Sequence, residues 1–235
     1  MVEITDLQKA FGKNQVLNGI DLTINKGGIF AVLGPNGSGK TTIIKSVLGM
    51  VIPDGGDIKV FDTNIKRNSS YRKKIDYLPQ IANFPSNLKV IELIKMIKDL
   101  RGQTDKDKEL IEIFRLQPFL YKKLGTLSGG TKQKVNILLT FMFDSPIIIM
   151  DEPTTGLDPI SLIRLKELIT REKKKGKAIL ITSHIMSFVE EVADEIVFIL
   201  EGKIYFKGSI EDLKNKTKQV DFEHAIANIL KENHA

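Results

Sequence analysis

"IFAVLGPNGSGKTT", residues 29–42, is the stretch whose reading decides the fold. Ile29 to Leu33 run without a polar break, as in a strand buried on both faces. Gly34-x-x-x-x-Gly39-Lys40-Thr41 follows, and a helical stretch from about Thr42 to Met50 comes next. Strand, glycine loop and helix in that order form a phosphate cradle, because glycine lets successive backbone N–H groups turn toward one anion. The first turn of the helix adds its own partial positive charge. Lys40 is expected to reach the β- and γ-phosphates of a nucleotide, and the Thr41 hydroxyl to ligate Mg²⁺.

Outward from the loop, Ile20, Leu22 and Ile24 alternate with polar residues, which predicts a half-buried antiparallel strand before it. Strands are predicted over 57–61, 75–78, 147–150 and 178–182, and a hairpin over 196–206 turns at Glu201-Gly202. Helical periodicity over 90–116 predicts two helices split near Gly102, the second capped by Thr104 or Asp105. Further helices are expected from about Ser161 to Lys175 and after Ser183-His184. The tail from Ser209 reads as helical and polar, with Phe222, Ile226 and Ile229 forming one apolar stripe and His224 and His234 carrying no functional argument.

Buried strands alternating with helices imply an α/β fold with a mostly parallel sheet, an antiparallel β flank and an inserted helical subdomain: a P-loop NTPase. The expected divisions are 1–80 and 127–235 for the core, 81–126 for the helical block and 209–235 for a short C-terminal extension.

A second motif lies downstream. In "LSGGTKQKVNILLTFMFDSPIIIMDEP", residues 127–153, a Ser-Gly-Gly turn opens a helix and an apolar strand ends in two acids. Asp151 stands where a parallel sheet places ligand-binding groups, beyond the carboxyl end of a buried strand, and is the expected partner of the Thr41-bound Mg²⁺. Glu152 beside it points elsewhere and is free to orient or deprotonate water. The Ser128-Gly129-Gly130 turn lacks a lysine at P-loop spacing, so it is half of an anion clamp. Such a half most simply engages a ligand held by another chain, which predicts a two-fold dimer with two ATP molecules at its interface.

Composition narrows the partners. The 235 residues carry 42% hydrophobic and 27% charged side chains and no cysteine, which excludes disulfides and thiolate chemistry. A net charge of +6 admits nucleic acid or an anionic surface. The excess is expected in local solvated runs, such as residues 171–177 and Lys122-Lys123, and no basic run interleaves with aromatics to stack bases. No apolar run approaches the roughly 20 residues that span a bilayer, and the first residues lack a signal peptide's pattern, so the chain is expected to stay where it is made.

Together these motifs resemble the ATP-binding subunits of ABC transporters over nearly the whole chain. GPNGSGKTT resembles that family's Walker A, LSGGT its signature, IIIMDEP its Walker B and GLD (156–158) its D-loop. The resemblance implies ATP contacts from Phe11, Gly34, Pro35, Asn36, Gly37, Ser38, Gly39, Lys40, Thr41 and Thr42. It implies contacts from Ser128, Gly129, Gly130 and Asp158 across a dimer interface. Glu152, His184 and Gln80 are implied as catalytic, and Thr41, Gln80 and Asp151 as holding Mg²⁺. Taken alone, Phe11 reads first as a core residue, Gln80 as an ordinary polar one and His184 as structural.

Implied partners are a second ATPase subunit and separate transmembrane permease subunits, with the chain peripheral on the cytoplasmic face of the membrane and no nucleic acid bound. The permease is expected to dock between sheet domain and helical block, near residues 80–88. Thr131 stands where the signature usually has glutamine. Segments 84–102, 127–135 and 141–159 further resemble the ATPase that serves nitrous-oxide reductase maturation, a copper-site assembly system. The alternatives are the ATPase of a small-molecule or drug exporter, a soluble ATPase acting on DNA or ribosomes, and an adaptor without turnover.

Overall fold

The computed structural model describes every residue except 67, 82, 103, 105, 234 and 235, and only the backbone of 232 and 233. The expectations for Asp105 as a cap and for His234 lie outside the described residues.

Strands β1 (Val2–Phe11) and β2 (Asn14–Ile24) form an antiparallel pair, and β3 (Ile29–Leu33) enters the centre of a second sheet. Helix α1 (Lys40–Val47) leads to β4 (Gly55–Val60), β5 (Thr63–Asn64) and β6 (Ile75–Leu78). Helices α2 (Val90–Arg101), α3 (Lys106–Ile113) and α4 (Gly129–Phe141) separate β6 from β7 (Ile147–Asp151). The chain continues through α5 (Pro159–Lys174), β8 (Ala178–Thr182), α6 (Met186–Val192), β9 (Glu195–Leu200), β10 (Lys203–Gly208), α7 (Ile210–Thr217) and α8 (Phe222–Asn233). The first sheet has the order β2-β1-β4-β5 and is antiparallel throughout. The second has the order β10-β9-β3-β8-β7-β6, parallel except for the edge strand β10.

Period-two alternation explains why β3, β7 and β8 read as unbroken apolar runs: both faces are covered. Ala31, Ile148, Met150, Ile179 and Ile181 face one core, shared with α2 to α6 and α8. Phe30, Val32, Ile147, Ile149 and Leu180 face the other, shared with α1 and the antiparallel sheet. The antiparallel flank is therefore a separate layer rather than an edge of the parallel sheet.

Several elements depart from the sequence expectation. Helix α1 starts at Lys40 and ends at Val47, not Thr42 and Met50, because Gly39 (φ 107°) closes the loop and Gly49 (φ 66°) breaks the last turn. Helix α5 starts at Pro159, because the Asp158 carboxylate accepts the Ser161 N–H and proline suits the first helical position. Thr104 does sit before α3, its Oγ accepting the Lys106 N–H at 3.2 Å. The apolar stripe of α8 is not an outlying feature: Phe222, Ile226 and Ile229 are buried in the first core.

The run 171–177 is solvated only in part, at Lys174 and Lys175. Glu172 and Lys177 are 2% and 5% exposed. Lys177 Nζ lies 2.5 Å from Glu172 and 2.8 Å from Asp144, and Lys175 lies 2.6 Å from Glu172. The last turn of α5 and the turn after it fold Glu172 and Lys177 inward, where pairing offsets the cost of desolvation.

Candidate functional site

Beyond the carboxyl end of β3 the glycine loop folds tightly onto its own backbone. At Gly34 (φ 154°), a Cβ would meet the Ile199 carbonyl oxygen at 2.1 Å and Ser38 Oγ at 2.6 Å. At Gly39 a Cβ would stand 2.6 Å from Leu17. Only glycine fits either place. Lys40, at the first position of α1, donates from Nζ to the Gly34 and Pro35 carbonyls at 2.8 and 3.0 Å. It is held over the loop that its cation is expected to complete. Burial lowers the pKa of this ammonium, and the charges of Glu152 and Asp151 oppose the shift.

Adjacent parallel strands bring the acids to the same rim. Asp151 pairs with Thr182 in the β7–β8 register, and the Thr182 hydroxyl donates to Asp151 Oδ1 at 2.5 Å. Thr41 Oγ1 lies 3.4 Å from that same oxygen. Glu152 sits just past the strand with φ 49°, an uncommon conformation for a residue other than glycine. Its N–H is held by Thr182 O at 3.1 Å and Thr182 Oγ1 at 3.2 Å. Its carboxylate has a partner in His184, with Oε2 2.8 Å from Nδ1. The loop after β8 swings His184 back over the end of β7. The Glu152 side chain is buried, whereas that of His184 is 64% exposed.

Phe11 ends β1 and is 52% exposed, so it is not a core side chain. With Asn14, Val16, the loop residues Asn36, Gly37 and Gly39 to Thr42, Gln80 and Glu152, it lines an open cleft of about 300 Å³. Phe11, Lys40, Thr41, Gln80 and Glu152, scattered from 11 to 152 in the sequence, thus share one wall-to-wall space.

Ser128, Gly129, Gly130 and Asp158 do not line that cleft. Ser128 caps α4 by accepting the Thr131 N–H. Gly130 packs on the loop before α5, where a Cβ would meet the Gly156 carbonyl at 2.6 Å. Asp158 caps α5 and pairs with Lys134 at 2.6 Å, which with the Ser161 N–H lowers its carboxyl to about 2. The phosphate loop and the Ser-Gly-Gly turn are separate features of one chain.

Sequence reasoning missed several contributors. Thr182 orients both acids, Gln133 donates to the Pro153 carbonyl at 3.1 Å, and Asn136 donates to the Pro79 carbonyl at 3.0 Å. Polar residues on the inner face of α4 were a signal, since a buried amide needs a partner. Which carbonyl each one meets depends on helix-to-sheet packing.

A phosphate loop opening a helix, with an acid-ended strand two places along the same parallel sheet and an exposed aromatic lining the cleft, defines a nucleotide site of the P-loop class. Residues 17–155 match the family model described as ABC transporter. The chain is 32% identical over 228 residues to the bacitracin transport ATP-binding protein BcrA of Enterococcus faecalis, covering 95% of this chain and 74% of that protein. It is 34% identical to the lantibiotic transport ATP-binding protein SrtF of Streptococcus pyogenes, covering 92% and 93%. A solved ATP-binding subunit of an ABC transporter superposes with a TM-score of 0.91 at 27% identity, over 98% of this chain and 99% of that one. A dimeric cassette in a post-hydrolysis state with ADP and Pi shares the fold, with a TM-score of 0.80 at 21% identity over 89% and 98%. This chain belongs to the ABC transporter ATP-binding family, and it is an ATPase of that class. Among the described residues no helix is long and apolar enough to cross a membrane.

Proposed function

We propose that two copies of this chain close head to tail around two ATP molecules and that hydrolysis drives a separate membrane permease. The observation that carries this reading is the separation just described. An intact Ser128-Gly129-Gly130 turn opens α4, yet it lies outside the cleft that contains this chain's own phosphate loop. A half-clamp with N–H groups and a hydroxyl to offer, and no phosphate of its own, is completed by a nucleotide on a second copy.

In this reading the adenine stacks on Phe11, and the loop N–H groups from Gly34 to Thr42 hold the phosphates. Lys40 leaves its carbonyl partners for the β- and γ-oxygens. Thr41 and Asp151 offer hard oxygen donors 3.4 Å apart, and Gln80 lines the same cleft as Thr41, a set that would suit Mg²⁺ bound mainly through phosphates and water. Held there by these residues, Mg²⁺ would supply positive charge to offset that of the transferring phosphoryl group. Glu152 accepts a proton as the water oxygen attacks the γ-phosphorus, and the bond to the bridging oxygen breaks to give ADP and phosphate. His184 holds the Glu152 carboxylate and the γ-phosphate side of the cleft. Asp158 joins the interface beside the partner's nucleotide.

A groove of about 540 Å³ beside this site is lined by Pro79, Ile81, Phe84, Ile97 and Leu139 and flanked by Met50 and Arg101. Ile81 and Met50 are 71% and 63% exposed there. Such an apolar trough, next to Gln80 and open to solvent, is the surface we assign to the permease, with the chain peripheral on the inner face of the membrane. The resemblance of segments 84–102, 127–135 and 141–159 supports a role in copper-site maturation for nitrous-oxide reductase. The names of BcrA, SrtF and a Nod factor export ATP-binding protein of Rhizobium support the second reading, an exporter ATPase.

The test is the ATPase rate per molecule as protein concentration is varied. A rate that climbs with concentration, and climbs further with a permease present, fits the shared-site reading. A rate per molecule independent of concentration, from a strictly monomeric species, overturns it.

A further inference from the structure

The oxygen of Ser128 has both of its contacts from a single residue. Ser128 Oγ and Thr131 Oγ1 are 2.9 Å apart, with either able to donate, and the Thr131 N–H reaches the same Ser128 oxygen at 3.3 Å. In a Ser-x-x-Gln helix start, the glutamine reaches back to the backbone N–H of the cap residue. Glutamine at this position, which the family resemblance leads one to expect, would close that box. Thr131 is too short for it and meets the serine hydroxyl instead.

A serine hydroxyl has one hydrogen to donate and two lone pairs. A phosphate oxygen only accepts, so Ser128 engages it only by donating. Its lone pairs are then filled by the Thr131 N–H and the Thr131 O–H, which stops the hydroxyl rotor and polarises the outgoing O–H. Without an anion, the Ser128 hydrogen has Thr131 Oγ1 as an alternative target. Arrival of the phosphate reverses one hydrogen bond. Gly130 lies close against the loop before α5, where an added Cβ would meet the Gly156 carbonyl oxygen at 2.6 Å.

We infer that Thr131 is a positioning residue of the intersubunit clamp: its hydroxyl donates to Ser128 and aims the Ser128 hydrogen at the γ-phosphate held by the second copy. This rests on the dimer proposed above and deepens it.

The experiment uses the full chain carrying Glu152→Gln, so that bound ATP persists. Dimerisation is followed by sedimentation as ATP is raised, nucleotide affinity is measured separately on dilute monomer, and thermal melting reports folding. Thr131→Val keeps the side-chain shape and removes the hydroxyl. It is expected to raise the ATP concentration for half-dimerisation roughly fivefold, the usual worth of one net hydrogen bond, with monomer affinity and melting unchanged. Thr131→Ser is expected to restore the parent value. Unchanged dimerisation in Thr131→Val, no rescue by serine, or a parallel loss of monomer affinity overturns the inference. Absence of any ATP-dependent dimer in the Glu152→Gln parent overturns the dimer reading instead.

Discussion

Nδ1 of His184 and Oε2 of Glu152 lie 2.8 Å apart, joining the loop after β8 to the end of β7. The pair anchors a carboxylate that is almost fully buried through an imidazole that is mostly exposed. The geometry suits the base proposed above, since the carboxylate is oriented without being sealed off from water.

Replacing that base tests the chemistry directly. Glu152→Gln is expected to bind ATP as the wild type does and to lower turnover by roughly a hundredfold or more, the usual worth of a positioned base. His184→Ala is expected to act in the same direction, since it frees the carboxylate to rotate. Phosphate release and equilibrium nucleotide binding, measured on the same preparations, separate the two quantities. Near-normal turnover in Glu152→Gln removes this residue from the mechanism.

Adenine stacking has its own signature. Phe11→Ala is expected to weaken ATP binding by about tenfold, from the roughly 1–3 kcal/mol of a base stacked on an aromatic ring. Phe11→Tyr keeps the ring and is expected to remain near wild type. Titration with a fluorescent ATP analogue reads both, and an alanine variant with unaltered affinity excludes the stack.

Ser128→Arg places bulk and charge in the half-clamp. It is expected to abolish hydrolysis while dilute monomer keeps its nucleotide affinity, because the turn does not line this chain's own cleft. A large loss of monomer affinity would return the turn to its own chain's site.

The buried charges at the end of α5 and just beyond it predict a pH-dependent stability. Burial alone would raise the Glu172 carboxyl, but Lys175 and Lys177 bring it below its ordinary 4.5. A carboxyl depressed by folding contributes stability above its unfolded value and loses it as pH falls through the folded one. Lys177→Met is expected to cost about 3 kcal/mol near neutral pH by leaving buried acid underpaired. The gap to wild type should narrow as the pH falls below 4.5. Denaturant melts at several pH values check this, and a gap independent of pH denies the pairing.

What the sequence determined by itself is local. Gly34, Gly39, Lys40 and Thr41 announce a phosphate loop, because anion binding by backbone N–H groups needs a turn that only a few neighbouring residues can make. Apolar runs over β3, β7 and β8 announce a sheet covered on both faces, and Ser128-Gly129-Gly130 announces a second helix start. Tertiary structure decided everything that depends on register and on which surfaces meet. It placed Thr182 under Asp151, turned His184 onto Glu152 and brought Phe11 to the loop from an antiparallel layer. It also folded Glu172 and Lys177 inward where composition reads as a solvated run. Hydrophobic patterning reports whether a residue is covered but not by what, so a partner distant in sequence becomes legible only when the layers are packed.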